Sequence, residues 1–230
     1  MLINIHAGHN PDGKTACGAI GLVKESTEAR LVKDELVRLL RNAGHTVFDC
    51  TCENGKSQND VLDKILRLCN SNEVSLDISV HLNSGANDKR GNGKSCGTEV
   101  LVYDSNKKVN LVAKRITENI SKLGFRNRGV KFRKDLRVLN GTNSPALLIE
   151  CCFVDDADDI KLYDSKKMAN AIFVGITGGE FKMEEKELTV QESINLVQTE
   201  ANLDEKTMEF LMAYRYGETL VQKLAKAIKK

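Results

Sequence analysis

The chain has 230 residues, 41% hydrophobic and 29% charged, the balance of a globular protein with room for one large domain and a small appendage. Its formal net charge of +2 is too small to make nucleic acid the expected partner. No stretch is apolar enough to insert in a membrane, and the opening MLINIHAGHN lacks the basic region and apolar run of a secretory signal, so cytoplasmic synthesis without a leader is expected. Residues 2–6 read as a first strand, closed by a turn-rich stretch from Ala7 to Gly13. From 26 to 42, Leu31, Leu36, Val37, Leu39 and Leu40 recur at helical spacing, and Ala43-Gly44 ends that helix. Residues 46–50 are a second strand, and 57–68 a helix with Val61, Ile65 and Leu68 on one face. In 76–84, Leu76, Ile78 and Val80 alternate with Asp77, Ser79 and His81, a strand that breaks at Asn83-Ser84-Gly85 and leaves His81 at its carboxyl end. A glycine-rich loop spans 85–97, a strand 98–103, and a helix 107–123 with Val109, Val112, Ile116 and Ile120 inward. A short strand is expected at 136–139. Residues 145–154, PALLIECCFV, read as a strand buried on both faces, and 165–177 as a helix stopped by Gly178-Gly179. This alternation predicts an α/β domain over 1–179, with one mixed, largely parallel sheet flanked by helices.

The composition shifts after Gly179. Residues 180–188 read as a charged linker. Thr189-Val190-Gln191-Glu192 makes a capping box for a helix to about Thr199. Asp204 can cap a second helix ending at Gly217, and 218–228 reads as a third. Residues 189–230 are therefore expected to form a small all-α module. Leu220, Leu224 and Ile228 in its last helix, and Met208, Leu211 and Met212 in its second, are the stripes expected to be buried.

Chemistry is expected where strands end, because open α/β sheets collect ligands outside the carboxyl ends of their strands. His9 follows the first strand, Glu25 precedes the first long helix, and His81 ends the central strand. Two histidines and a carboxylate are a recognised ligand set for a catalytic zinc that keeps a fourth position for water. By position alone, His6 competes with His9 and Glu28 with Glu25. Glu150 interrupts an apolar run, which is costly for an ionisable group unless it is paired or near a cation. Beside an activated water it would serve as a proton carrier. Strand alternation turns Cys151 away from Glu150 and Cys152 towards its face. The seven cysteines form no CxxC pair and are expected as free thiols. Arg126, Arg128, Lys131, Arg133, Lys134 and Arg137 make a basic run, read as a solvated face or an anion-contacting one.

The order Ala7-Gly8-His9-Asn10, then Glu25, then Val80-His81-Leu82-Asn83, then Leu147 to Glu150 and on to Phe153, resembles the zinc-dependent N-acetylmuramoyl-L-alanine amidases over roughly residues 2–178. The resemblance implies one Zn2+ held by His9, Glu25 and His81, with Glu150 as the catalytic acid/base. Its glycine-histidine pair favours His9 over His6, and its helix-opening glutamate favours Glu25 over Glu28. The implied substrate is peptidoglycan, cut at the amide between N-acetylmuramic acid and the first L-alanine of the stem peptide. The basic run would then meet stem-peptide carboxylates. A zinc peptidase cutting within the stem and a non-catalytic wall-binding protein are the readings to be separated from it. The chain also resembles clostridial bacteriophage endolysins, which pair this domain with a small C-terminal module and rely on a separate permeabilising protein for release. For the module that implies wall targeting, with Tyr214 and Tyr216 available to stack on sugars. Seven basic against nine acidic residues in 183–230 suit an anionic wall poorly, so self-association as a homodimer is the alternative.

Overall fold

The computed structural model describes residues 1–179 and 188–228, so all but the last residue of the expected linker lies outside the described residues. The chain divides into two compact units, Met1–Met183 and Glu184–Lys230. Among the described residues no helix is long and apolar enough to cross a membrane.

The first unit is built on strands β1 (Leu2–Ala7), β2 (Thr46–Asp49), β3 (Leu76–Asn83), β4 (Thr98–Val102), β5 (Asn127–Phe132) and β6 (Ala146–Phe153). They form one sheet in the order β2-β1-β3-β6-β4-β5, parallel throughout except where β4 meets β6. Helices α1 (Glu25–Asn42), α3 (Lys107–Ser121) and α6 (Ser165–Thr177) cover one face. There Ile3, Ile5, Ile78, Val80, Val100 and Ile149 are fully buried in a continuous core. Each such side chain contributes roughly 1.5–3 kcal/mol relative to exposure, which fixes the register of the alternating strands. Helices α2 (Gln58–Asn70) and α4 (Arg137–Gly141) pack on the other face, over Phe48, Leu101, Ala146 and Leu148. Further along that second face, His81 and Glu150 are only partly buried.

Three segments differ from the sequence-based expectation. Asn127–Phe132, part of the basic run, is the edge strand β5, parallel to β4. Its sequence NRGVKF shows no alternation because an edge strand, half solvated, need bury neither face fully. The strand expected at 136–139 is instead α4, whose adjacent Val138 and Leu139 are both buried on α2's side of the sheet. Four residues, one of them Arg137, are too few for either period to register. A short helix α5 (Ala157–Leu162) follows β6, capped by the Asp156 carboxylate on the Asp159 amide.

A β-bulge corrects the expectation for the thiols. His81 pairs with Glu150, but Asn83 pairs with Phe153, so β6 carries one extra residue. Simple alternation fails across it, and Cys151 and Cys152 both lie in the helix-covered core. All seven cysteines are free.

The glycine-rich loop after β3 is held by the acidic run that follows β6. The Asp155 carboxylate accepts the amides of Gly85, Ala86 and Asn87. Asp158 accepts those of Asn92, Gly93 and Lys94. Asp159, fully buried, accepts those of Gly97 and Phe153 and the Ser95 hydroxyl. Buried backbone donors demand partners, and these carboxylates supply them where no strand does.

The second unit contains α7 (Val190–Glu200), α8 (Glu205–Ala213) and α9 (Gly217–Ile228). The Thr189–Glu192 capping box is formed in both directions. Its core is Val197, Met208, Val221 and Ala225. The buried stripe of α9 is therefore Gly217, Val221 and Ala225, while Leu224 and Ile228, expected inside, are 37% and 38% exposed. Small residues allow a close approach: a Cβ on Gly217 would stand 2.4 Å from the Leu211 carbonyl oxygen. Gly217 opens α9 rather than ending α8, which stops at Ala213.

Candidate metal centre

Three elements deliver three donors to one point. His9 lies just past β1, Glu25 is the first residue of α1, and His81 stands near the end of β3. One ligand atom of each lies within 4.8 Å of the others, a grouping that could hold a metal ion. Glu25 Oε1 is 2.9 Å from His81 Nδ1 and 3.2 Å from His9 Nε2. Its Oε2 accepts the Ala19 amide at 2.7 Å. The amino end of α1 adds its partial positive charge beneath the carboxylate. Burial alone would raise the Glu25 carboxyl, but hydrogen bonds from His81 and His9 hold it well below the usual range. Burial lowers His81, against the pull of Glu25, so a neutral imidazole is favoured there.

The backbone around the donors is shaped to let them meet. A Cβ on Gly8 would lie 1.8 Å from Cε1 of His81, so only glycine admits that ring. Gly18 has φ +81°, and a Cβ there would lie 2.5 Å from Glu25 Oε2. Asn10, fully buried, ties the His9 loop to the Gly55 backbone through both ends of its amide. Arg30 Nη2 donates to the carbonyls of His9 and Cys52. Arg30 did not stand out in the sequence, and Asn10 appeared there only within the Ala7-Gly8-His9-Asn10 motif. Asn10 had one signal, its place directly after the candidate histidine.

His6, the competing histidine, is 1% exposed and lies behind the cluster. Ser79 Oγ stands 3.4 Å from His6 Nδ1 and 3.0 Å from His81 Nε2, so serine bridges the two rings. Burial, with the nearby His81, lowers His6 to about 3, and it stays neutral. Glu28, the competing glutamate, is not in the cluster.

Glu150 stands beside His81 in the β3–β6 pairing and across from Glu99 in the β6–β4 pairing. Its Oε2 is buried and, among the described residues, has no hydrogen-bond partner. Burial, reinforced by the charges of Glu25 and Glu99 and opposed by Arg133, raises its carboxyl to about 8. A carboxyl of that strength, next to a three-donor cluster, can both take and give a proton near neutral pH. His9 Nδ1 is likewise buried and without a partner among the described residues. Two orphaned polar atoms and a carboxylate facing two imidazoles are a donor set suited to a cation.

Fold and site together describe an α/β protein with a candidate metal centre, and an unpartnered acid beside it, at the carboxyl ends of its parallel strands. The family description of the N-acetylmuramoyl-L-alanine amidases matches residues 3–179, and the chain belongs to that family. It is 34% identical over 167 residues to an uncharacterised protein of Clostridium perfringens, covering 72% of this chain and 48% of that protein. It is 25% identical to the endolysin of Bacillus phage SPP1, covering 77% of this chain and 64% of the endolysin. Among solved structures, the catalytic domain of the CD27L endolysin targeting Clostridia difficile superposes with a TM-score of 0.70 at 29% identity, covering 79% of this chain and 99% of that one. The chain thus spans about half the length of its Clostridium perfringens relative.

Proposed function

We propose that this chain is a zinc-dependent peptidoglycan amidase of endolysin type, cleaving the amide between N-acetylmuramic acid and the L-alanine of the stem peptide. The observation that carries the reading is the placement of Glu150, raised and unpartnered, beside the His9–Glu25–His81 cluster. The family match and the likeness to an endolysin catalytic domain support the substrate class. His9, Glu25 and His81 would hold zinc, which when bound supplies Lewis acidity for the amide carbonyl and acidifies a water. Glu150 takes the proton of the attacking water and later delivers one to the alanine nitrogen as it leaves. The Glu25 carboxylate, already ionised, offers no competing proton. The protein is tested on purified cell walls, with mass spectrometry of the products. New L-alanine amino termini on free peptides, with intact glycan, support the amidase. Cuts inside the stem peptide would indicate a peptidase, and no products at all a wall-binding protein.

A further inference from the structure

Asn83, Glu99, Arg128 and Phe153 form a connected group that the proposed proton transfers do not use. Glu99 faces Glu150 directly across the β4–β6 pairing, so both carboxyls point to the same side of the sheet. One Glu99 oxygen accepts from Asn83 Nδ2 at 3.2 Å and the other from Arg128 Nε at 2.8 Å. The Arg128 guanidinium carbon lies 5.0 Å from the centre of the Phe153 ring. The guanidinium is therefore gripped on one edge by a nearly buried carboxylate and on its face by a buried ring. Its side chain is still 32% exposed, and among the described residues no hydrogen bond or ion pair engages its Nη1 or Nη2. The neighbouring cations are differently employed: Arg133 pairs with Asp135, Arg137 with Asp63, and Lys134 lies over Tyr103. Neutralising Glu99 would need a charge nearby but no aromatic clamp. A clamp that leaves two parallel N–H groups free is the arrangement for binding a carboxylate end-on.

We infer that Arg128 sets substrate specificity by binding a carboxylate of the stem peptide on the leaving-group side of the cut amide. This rests on the amidase reading above. Glu150 serves the alanine nitrogen, and Arg128 stands two strands away, roughly 10 Å at the usual strand spacing. Two residues of extended peptide span about 7 Å, and the arginine arm covers the remainder. A free carboxylate on the residue after the alanine would fall at that distance. Asn83 and Phe153, which the sequence marks only as companions of His81 and Glu150, hold Glu99 and the guanidinium in place.

Arg128→Gln is compared with the wild type on two soluble muropeptides, one with a free α-carboxylate at the second residue and one with that group amidated. The variant should raise KM for the acid substrate roughly ten- to a hundredfold more than for the amidated one, whatever change in kcat the two substrates share. Arg128→Lys, which keeps the charge beside Glu99 but loses the fork, should fall between. In parallel, the zinc-free proteins are titrated by NMR with L-alanyl-γ-D-glutamate and with its α-amide, a readout independent of turnover. Wild type should bind the acid better than the amide, and Arg128→Gln should bind both alike. Equal losses on both substrates, a fall in kcat alone, or wild-type binding without preference would overturn the inference. A wild type that binds the acid but cleaves neither muropeptide would count against the amidase reading and leave the carboxylate site standing.

Discussion

The Ser79 hydroxyl lies 3.0 Å from Nε2 of His81, on the opposite side of the ring from the nitrogen that faces Glu25. Strand alternation makes this contact, since residues two apart on β3 share a face. When Nδ1 binds a metal, the ring proton sits on Nε2, which can donate it to Ser79, and the Ser79 hydroxyl can donate in turn to the neutral His6. A partner behind a metal-binding imidazole fixes both its tautomer and its angle. Ser79→Ala should weaken zinc affinity roughly ten- to a hundredfold while the fold survives, as read by competition with a chromophoric chelator. Unchanged affinity would mean that the bridge to His6 is only packing.

Glu150 gives a pH signature. Its folded carboxyl titrates near 8 against an ordinary 4.5, chiefly through burial. A raised pKa means that the neutral acid stabilises the fold: the contribution is complete below about 4.5 and is lost as pH rises through 8. At about 1.4 kcal/mol per pKa unit, the loss amounts to a few kcal/mol. Zinc-free wild type should therefore lose thermal stability between pH 5 and 8 relative to Glu150→Gln, which carries no charge at any pH. Adding zinc should shrink the difference, because a nearby dication favours the carboxylate. Parallel stability curves for the two proteins would contradict this.

Asp159 anchors the carboxyl end of β6. Asp159→Ala leaves the buried amides of Gly97 and Phe153 without acceptors. At about 1–3 kcal/mol for each stranded donor, the variant should lose roughly 2–6 kcal/mol in denaturant titrations. Asp159→Asn keeps an acceptor oxygen and should lose much less. A silent Asp159→Ala would show that the clamp on the loop is dispensable.

The long periodic segments were legible in the sequence, because burial on one side writes a period of two or 3.6 into the residues. Strand β3 and helices α1 and α3 follow from that pattern alone. The strand ends that carry His9 and His81 were marked by turn residues, but position alone left His6 beside His9 and Glu28 beside Glu25, and the family resemblance chose between them. What was not legible depends on partners distant in the chain. Strand β5 exists because β4 offers it an edge, and its polar residues carry no period. The bulge that turns Cys152 into the core is a register shift between β3 and β6, which no local pattern records. The Ser79 bridge and the Arg128 clamp need the sheet order before either residue stands out. In the second unit, the stripe on α9 was misplaced by one position because large side chains were weighed above the small ones that let helices approach.

The second unit presents Phe210, Tyr214 and Tyr216 at 79%, 59% and 57% exposed, with the two tyrosine rings 6.0 Å apart. Such a surface invites a partner. Residues 188–230 fused to a fluorescent protein should label purified walls, and Phe210→Ser with Tyr214→Ser should abolish the labelling. A fusion that leaves walls dark and runs as a dimer in light scattering, returning to monomer with the same substitutions, would assign the surface to self-association. Residues 1–179 alone should bind zinc and cut soluble wall fragments.

The central assignment of roles is tested by measuring zinc content and wall hydrolysis together in two variants. His81→Ala should lose the metal and the activity at once, because it removes a ligand. Glu150→Ala should keep one zinc per chain and the fold, yet release no L-alanine amino termini, because it removes the proton carrier alone. A Glu150→Ala protein without zinc, or a His81→Ala protein that still cuts walls, would contradict the roles given to the two residues.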